Sequence, residues 1–231
     1  MRLNADFSQR ATVPAHQQQW VASPQGGVER AMLDRVGAEK ARATSLVRYL
    51  PGATFPPHQH PGGEEILVLS GTFADEHASY PQGWYLRNPP GSAHRPASPE
   101  GALIFVKLWQ MPPTEREAVR VNTHDAAHWQ AQADRAVCPL FQSEAEQVSL
   151  QRLAPGAVLR PDATGGAELL VLAGELRAAE GDAPPLTPHG WCRLPPAEAL
   201  AWVAGPQGAT VYLKTGHLAQ VLGLGPEQGP A

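Results

Sequence analysis

Apolar positions along this chain come in short runs: Val28–Leu33, Ala43–Leu50, Glu65–Leu69, Thr72–Asp75, Trp84–Arg87 and Ala102–Trp109. Each is bounded by Gly or Pro clusters, at the length and spacing of strands in a sandwich or barrel. No stretch sustains a 3.6-residue apolar period, so very little helix is expected. Residues 1–24 are polar and irregular, with Trp20 the first side chain expected to anchor in a core.

The pattern then restarts. Thr44–Ala53 matches Val148–Ala157, and Glu65–Gly71 matches Glu168–Gly174. Gly83-Trp84 returns as Gly190-Trp191, Pro89-Pro90 as Pro195-Pro196, and Pro99–Ala102 as Pro206–Ala209. The offset stays near a constant value of about 105 residues, which reads as a tandem duplication. The expected division is residues 1–111, residues 112–222 and a frayed Gly- and Pro-rich tail at 223–231. Two related barrels in one chain would pack face to face and bury strand edges. Arg48 and Arg152 recur in both copies, as do Lys107 and Lys214, so their shared role should be structural.

Composition narrows the function classes. The 231 residues include 24 Pro and 22 Gly, spread between apolar runs as turn residues. A net charge of -4 with no basic run argues against nucleic acid and anionic membrane as partners. The apolar runs, such as Ala102–Val106, are far too short to span a bilayer, and the N-terminus has no apolar signal segment. A cytoplasmic location is the expectation. Cys138 and Cys192 are read as buried small hydrophobes and not as a disulfide pair.

One constellation carries chemistry. Gly52 is followed by His58, His60, Glu64 and Gly71, and after a gap by Gly83, Pro89-Pro90-Gly91 and His94. His58 and His60, two apart, share a strand face, whereas Glu64 and Glu65 point to opposite faces. Pro61-Gly62-Gly63 lets the chain turn and bring Glu64 inward, with Ile66 and Val68 as an apolar wall. A second turn at Pro89-Pro90-Gly91 delivers His94. Three imidazoles and a carboxylate make a mixed nitrogen and oxygen site suited to Fe(II), Zn, Mn or Ni. Octahedral coordination would leave two adjacent positions open, and tetrahedral zinc would be saturated. Phe55, Phe73 and Trp84 are candidates for the pocket mouth, and His77 for a role beside the ligands. His16, His124, His128, His189 and His217 lack ligand spacing.

These motifs, residues 52–71 and 83–94, resemble the two motifs of the cupin superfamily. The wider phrasing Pro57–His60, Gly63–Glu76 and Arg87–His94 looks like the ChrR-type cupin, the C-terminal metal-binding domain of a zinc-dependent anti-sigma factor. Ser98 stands where the second motif often has Asn, at a position that is not a ligand. The resemblance implies an all-β fold of tandem double-stranded β-helix (jelly-roll) barrels, a bicupin, with His58, His60, Glu64 and His94 as metal ligands. It has dioxygenase relatives acting on ketones or diketones. One expectation is therefore a small-molecule dioxygenase with one divalent transition metal, Fe or Zn first and Mn or Ni as alternatives. The alternative is a non-catalytic, metal-loaded sensor or regulatory module lacking the sigma-binding domain. Partners would be a small-molecule ligand and the intramolecular barrel pair, with a homodimer left open. In the second copy the ligand positions fall at Asp162, Thr164, Ala167 and Leu200, so that copy is expected to hold no metal, although Asp162, Thr164 and Glu168 could offer oxygen.

Overall fold

A computed structural model describes residues 1–24, 26–38 and 40–223. Most of the expected tail, from residue 224 onward, lies outside the described residues. The fold is a double β-barrel of the jelly-roll type, and every strand pairing is antiparallel. Helical structure among the described residues is limited to two 3-10 turns, Ala15–Gln17 and Ala126–His128. No helix is long and apolar enough to cross a membrane.

The first unit comprises Met1–Ala5 and Gln19–His124, rejoined by the chain at Leu222. Its main sheet runs in the order Arg2–Leu3, Val28–Gly37, Ala41–Tyr49, Ala102–Leu108, Glu64–Ala74, Trp84–Asn88, Val119–Asn122. A separate two-stranded ribbon pairs His58–His60 with Ser92–His94. The runs Glu65–Leu69 and Thr72–Asp75 are one strand, Glu64–Ala74, because Gly71 carries the chain through at a φ of +68°. No other residue type adopts that conformation so cheaply. A core of Val28, Val47, Ile66, Val68, Phe73, Leu86, Ile104 and Val106 fills this barrel.

The second unit comprises Asp6–Gln18 and Asp125–Val221. Its sheet runs Gln130–Ala131, Arg135–Gln142, Gln147–Leu153, Trp202–Thr215, Ala167–Ala178, Trp191–Leu194, Ala11–Val13. Its core is built on Leu159, Leu169, Val171, Leu176, Val211 and Leu213, with Leu200 packed against it. Cys138 and Cys192 are free and buried. Burial pushes the Cys192 thiol up to about 11, which keeps it protonated.

The repeat is visible in the register. Glu65 pairs with Arg87 on one side and Lys107 on the other; Glu168 pairs with Arg193 and Lys214 in the same way. All six are buried, which a sheet face tolerates only when the charges are paired. Arg87 is fully buried and reaches Glu65 at 3.1 Å and both carboxylate oxygens of Glu115. Arg48 and Arg152 also play matching parts: each guanidinium stacks on a tryptophan ring, Trp20 at 4.0 Å and Trp129 at 3.7 Å.

Two expectations are corrected. Residues 1–24 contain three short strands, Arg2–Leu3, Ala11–Val13 and Trp20–Ala22. Trp20 is half-buried beneath Arg48 and does not anchor the core. The two units also divide differently from a cut at 111/112. Val119–Asn122 pairs with Trp84–Asn88 in the first unit, and Ala11–Val13 pairs with Trp191–Leu194 in the second. Each short strand completes the edge of a barrel sheet, and edge pairing of this kind leaves no local sequence signal.

Candidate metal centre

The site begins at two turns that meet on one carbonyl. His60 O accepts hydrogen bonds from Gly63 N–H at 3.1 Å and from Gly91 N–H at 2.9 Å. Gly63 takes a φ of +75° and Gly91 one of +85°. A Cβ at Gly62 would stand 2.6 Å from the Trp109 ring and 2.7 Å from its Cα. The ribbon register then sets Ser92 opposite His60 and His94 opposite His58. Three imidazoles thus come from two short strands closed by tight turns.

Their ligand nitrogens all lie within 4.8 Å of one another. Ring centroids are 4.8 Å apart for His58 and His60, 5.2 Å for His58 and His94, and 4.7 Å for His60 and His94. Glu64 arrives from the start of the next strand, after the Pro61–Gly63 turn. Its Oε2 is 3.4 Å from His60 Nε2 and 3.4 Å from His94 Nε2. Two donors each bound at roughly 2.1 Å to one ion lie about 3 to 3.4 Å apart, so these separations suit a shared cation.

The donor chemistry fits a metal. His60 Nε2 and His94 Nε2 are buried and have no hydrogen-bond partner among the described residues. Buried polar nitrogens are rarely left so. His58 Nδ1 lies 3.0 Å from Pro56 O, an acceptor, so in the neutral ring Nδ1 carries the proton and Nε2 keeps its lone pair. Burial, and secondarily His58, hold His60 down to about 4. Burial also lowers His94. Both rings are therefore neutral near pH 7, the form that ligates. Desolvation raises Glu64, opposed by His94, by the Asn88 hydrogen bond, by His58 and by Arg120. A cation bound at its Oε2 would restore the carboxylate.

Several residues without a role in the sequence reading complete the site. Asn88 Nδ2 donates to Glu64 Oε2 at 2.9 Å, and Arg120 Nη2 donates to Asn88 Oδ1 at 2.6 Å. Arg120 comes from the strand Val119–Asn122, beyond the expected end of the first domain. Asp75, not His77, stands beside the ligands: its Oδ2 is 3.7 Å from His94 Nδ1, while His77 is exposed and only its backbone N–H binds Asp75 Oδ1. Of the three aromatic candidates, Phe55 lines the cavity, Phe73 is buried with its ring 6.0 Å from His94, and Trp84 packs on Tyr80. A cavity of about 660 Å³ opens in front of His58, His60 and Glu64, walled by Val47, Tyr49, Ile104 and Val106.

In the second unit the equivalent row is apolar. Ala167 pairs with Leu194 where Glu64 pairs with Asn88. Asp162 is exposed and accepts the Thr164 N–H. Glu168 points to the other face, where it accepts from Trp191 Nε1 at 2.8 Å and lies 3.2 Å from His217 Nε2. Among the described residues only His58, His60 and His94 form a group of potential metal ligands.

Comparison with known proteins agrees with this geometry. Residues 8–112 match the family model of the ChrR cupin-like domain. Solved structures with the same fold include a putative glyoxylate-induced protein of Pseudomonas aeruginosa, 18% identical, with a TM-score of 0.69 over 89% of this chain and 87% of that one. A putative dioxygenase of Nostoc punctiforme is 14% identical, with a TM-score of 0.66 over 96% and 84%. The Escherichia coli pirin YhhW, in complex with nickel(II), is 11% identical, with a TM-score of 0.66 over 89% and 98%. No curated protein matches the chain.

Proposed function

Because residues 8–112 match the ChrR cupin-like domain and the fold is shared with the solved structures above, we propose that the first unit is a mononuclear metal-dependent enzyme of the cupin type. His58, His60, Glu64 and His94 are its ligands, and its substrate is a small oxygen-bearing ketone or diketone. The observation that carries this reading is the pair of buried, unpartnered Nε2 atoms of His60 and His94, each 3.4 Å from Glu64 Oε2.

A divalent transition metal held there, iron foremost, would supply Lewis acidity and redox chemistry with dioxygen. The chain's own residues do the rest. His58, His60 and His94 offer ring nitrogens, and Glu64 would offset part of the ion's charge. Asn88 holds Glu64 Oε2, and Arg120 in turn holds Asn88. Val47, Ile104 and Val106 keep the cavity wall apolar and limit water beside the site. Tyr49 lines the same cavity, and burial raises its phenol far above the ordinary value, so it remains a proton donor at neutral pH. A dioxygenase reading also accords with the Nostoc punctiforme neighbour described as a putative dioxygenase.

The test is metal analysis of protein purified without added metal, followed by oxygen uptake with a panel of 1,3-diketones and hydroxy-ketones. The expected result is about one iron per chain and substrate-dependent uptake. Stoichiometric zinc with no uptake from the iron-reconstituted protein would overturn it.

A further inference from the structure

One wall of the cavity carries cations that the metal site does not use. Strand Val28–Gly37 pairs with Ala41–Tyr49 in the register Arg30↔Val47 and Met32↔Ser45; beyond a bulge between Met32 and Asp34 it resumes as Arg35↔Ala43. The extra residue shifts the pleat by one position, so Arg30 and Arg35 face the same interior although they stand five positions apart. Both line the cavity beside their partners Val47 and Ala43, and the exposed Lys40 joins them.

These cations have little to neutralise them. The Arg30 side chain has no hydrogen bond or ion pair among the described residues, and the Arg35 guanidinium reaches only the backbone carbonyl of Ala38. Burial first, and Arg30 second, hold the Arg35 guanidinium below its ordinary value, so the two side chains feel each other's charge. Glu64 is the one carboxylate among the described residues lining the cavity, and it faces the imidazoles. Two guanidiniums held near each other in a concave wall, without a protein anion between them, focus positive potential on the cavity.

The register also relates this wall to the ligands. Glu64 pairs with Leu108, Leu108 with Ala43, and Ala43 with Arg35, so the four lie in one row across adjacent strands. Three inter-strand steps put roughly 14 Å of sheet between the backbones of Glu64 and Arg35. Both side chains reach into the intervening cavity of about 660 Å³, a volume suited to a small molecule that touches both ends.

We propose that Arg30 and Arg35 hold the carboxylate of a small organic acid whose other end presents its oxygen to the His58, His60, Glu64 and His94 site. The substrate class is then a keto or diketo acid and not a neutral diketone. A planar guanidinium fork matches a carboxylate in geometry as well as charge. This assignment rests on reading the imidazole cluster as the metal centre, and the experiment below separates the two.

Zinc-loaded, redox-silent protein, whose ion can take a fifth, oxygen ligand, is titrated calorimetrically with 2,4-dioxopentanoate and with pentane-2,4-dione, which has the same diketone but no carboxylate. The expected result is that the acid binds at least roughly tenfold tighter, and that the double variant Arg30→Gln/Arg35→Gln loses that preference. Zinc content and pentane-2,4-dione affinity should stay at wild-type values in the variant, which shows that it is folded. Equal affinities in the wild type, absence of binding by the acid, or a preference that survives the double substitution would overturn the proposal. Displacement of the acid by an equal concentration of inorganic phosphate would overturn the assignment to a carboxylate. Protein that takes up no zinc yet keeps the Arg-dependent preference would overturn the metal-centre reading and leave this one standing. Zinc uptake without any carboxylate preference would do the reverse.

Discussion

Asn88 and Glu64 face each other across paired strands, and the Asn88 amide donates to the same Glu64 oxygen that stands 3.4 Å from both His60 and His94. Arg120 fixes the amide from behind through Asn88 Oδ1. A carboxylate held in this way is kept turned toward the imidazoles. Residues that orient metal ligands typically contribute about 10- to 100-fold to metal affinity. Asn88→Ala should therefore weaken metal binding by that factor in a competition titration with a chromophoric chelator. Unchanged affinity would mean that Glu64 needs no such support.

Acid should destabilise the metal-free protein through His60. Its folded value is about 4, against about 6.5 for an exposed histidine. Between those pH values the unfolded chain binds the proton and the folded chain does not, so protons favour unfolding. Stability from this source is complete above about pH 6.5 and is lost as pH falls toward 4, by up to roughly 3 kcal/mol. His94, also lowered, acts in the same direction. Glu64, raised, acts in the opposite one, losing stability as pH rises through its folded value. His60→Gln removes one titrating group, so its urea midpoint should fall less than the wild type's between pH 6.5 and 4.5. Parallel profiles would contradict a buried neutral imidazole.

The gathering of His58, His60 and Glu64 was legible in the sequence because its spacing is local. His58, His60 and Glu64 lie within one turn of chain, and the glycines that form the turn are written beside them. Strand parity sufficed to choose Glu64 over Glu65, and the repeat gave Glu168 as the partner of Glu65, which the registers bear out. What escaped was set by distant pairing. Arg35 faces the cavity only because of the bulge after Met32, which flips the parity a regular strand would have. Arg120 and Glu115 sit beyond the motif restart at residue 112, yet both serve the first unit. Asn88 was adjacent to Pro89-Pro90 in plain view, but its tie to Glu64 needs the pairing of Trp84–Asn88 with Glu64–Ala74. The exchange of Ala11–Val13 and Val119–Asn122 into their respective sheets has no short-range signal at all.

Arg87 is expected to matter for stability and not for metal binding. It is fully buried between Glu65 and Glu115, so truncation takes away the cation that Glu115 and Glu65 share and leaves Glu65 with Lys107 on its other side. Removing one partner of a buried ion cluster typically costs about 3 to 5 kcal/mol. Arg87→Met should lower the denaturant midpoint accordingly, whereas the combined change Arg87→Met, Glu115→Leu, which keeps Glu65 beside Lys107, should recover part of the loss. A single-variant loss below about 1 kcal/mol would show that water reaches the cluster.

Metal stoichiometry should be one per chain, and all of it should depend on the first unit. His94→Ala removes a ligand whose Nε2 has no hydrogen-bond partner in the protein, so metal content should collapse while the fold persists. Asp162→Ala and Thr164→Ala should leave loading unchanged, because Asp162 is exposed and Ala167 and Leu194 occupy the row where Glu64 and Asn88 would stand. Chelation of the wild type should lower its melting temperature, since a ligand at 100 times its dissociation constant stabilises the folded state by about 2.7 kcal/mol. His94→Ala should melt at the same temperature with or without chelator. A chelator-sensitive melt in that variant, or loading that follows Asp162, would show that the ion is held by other residues.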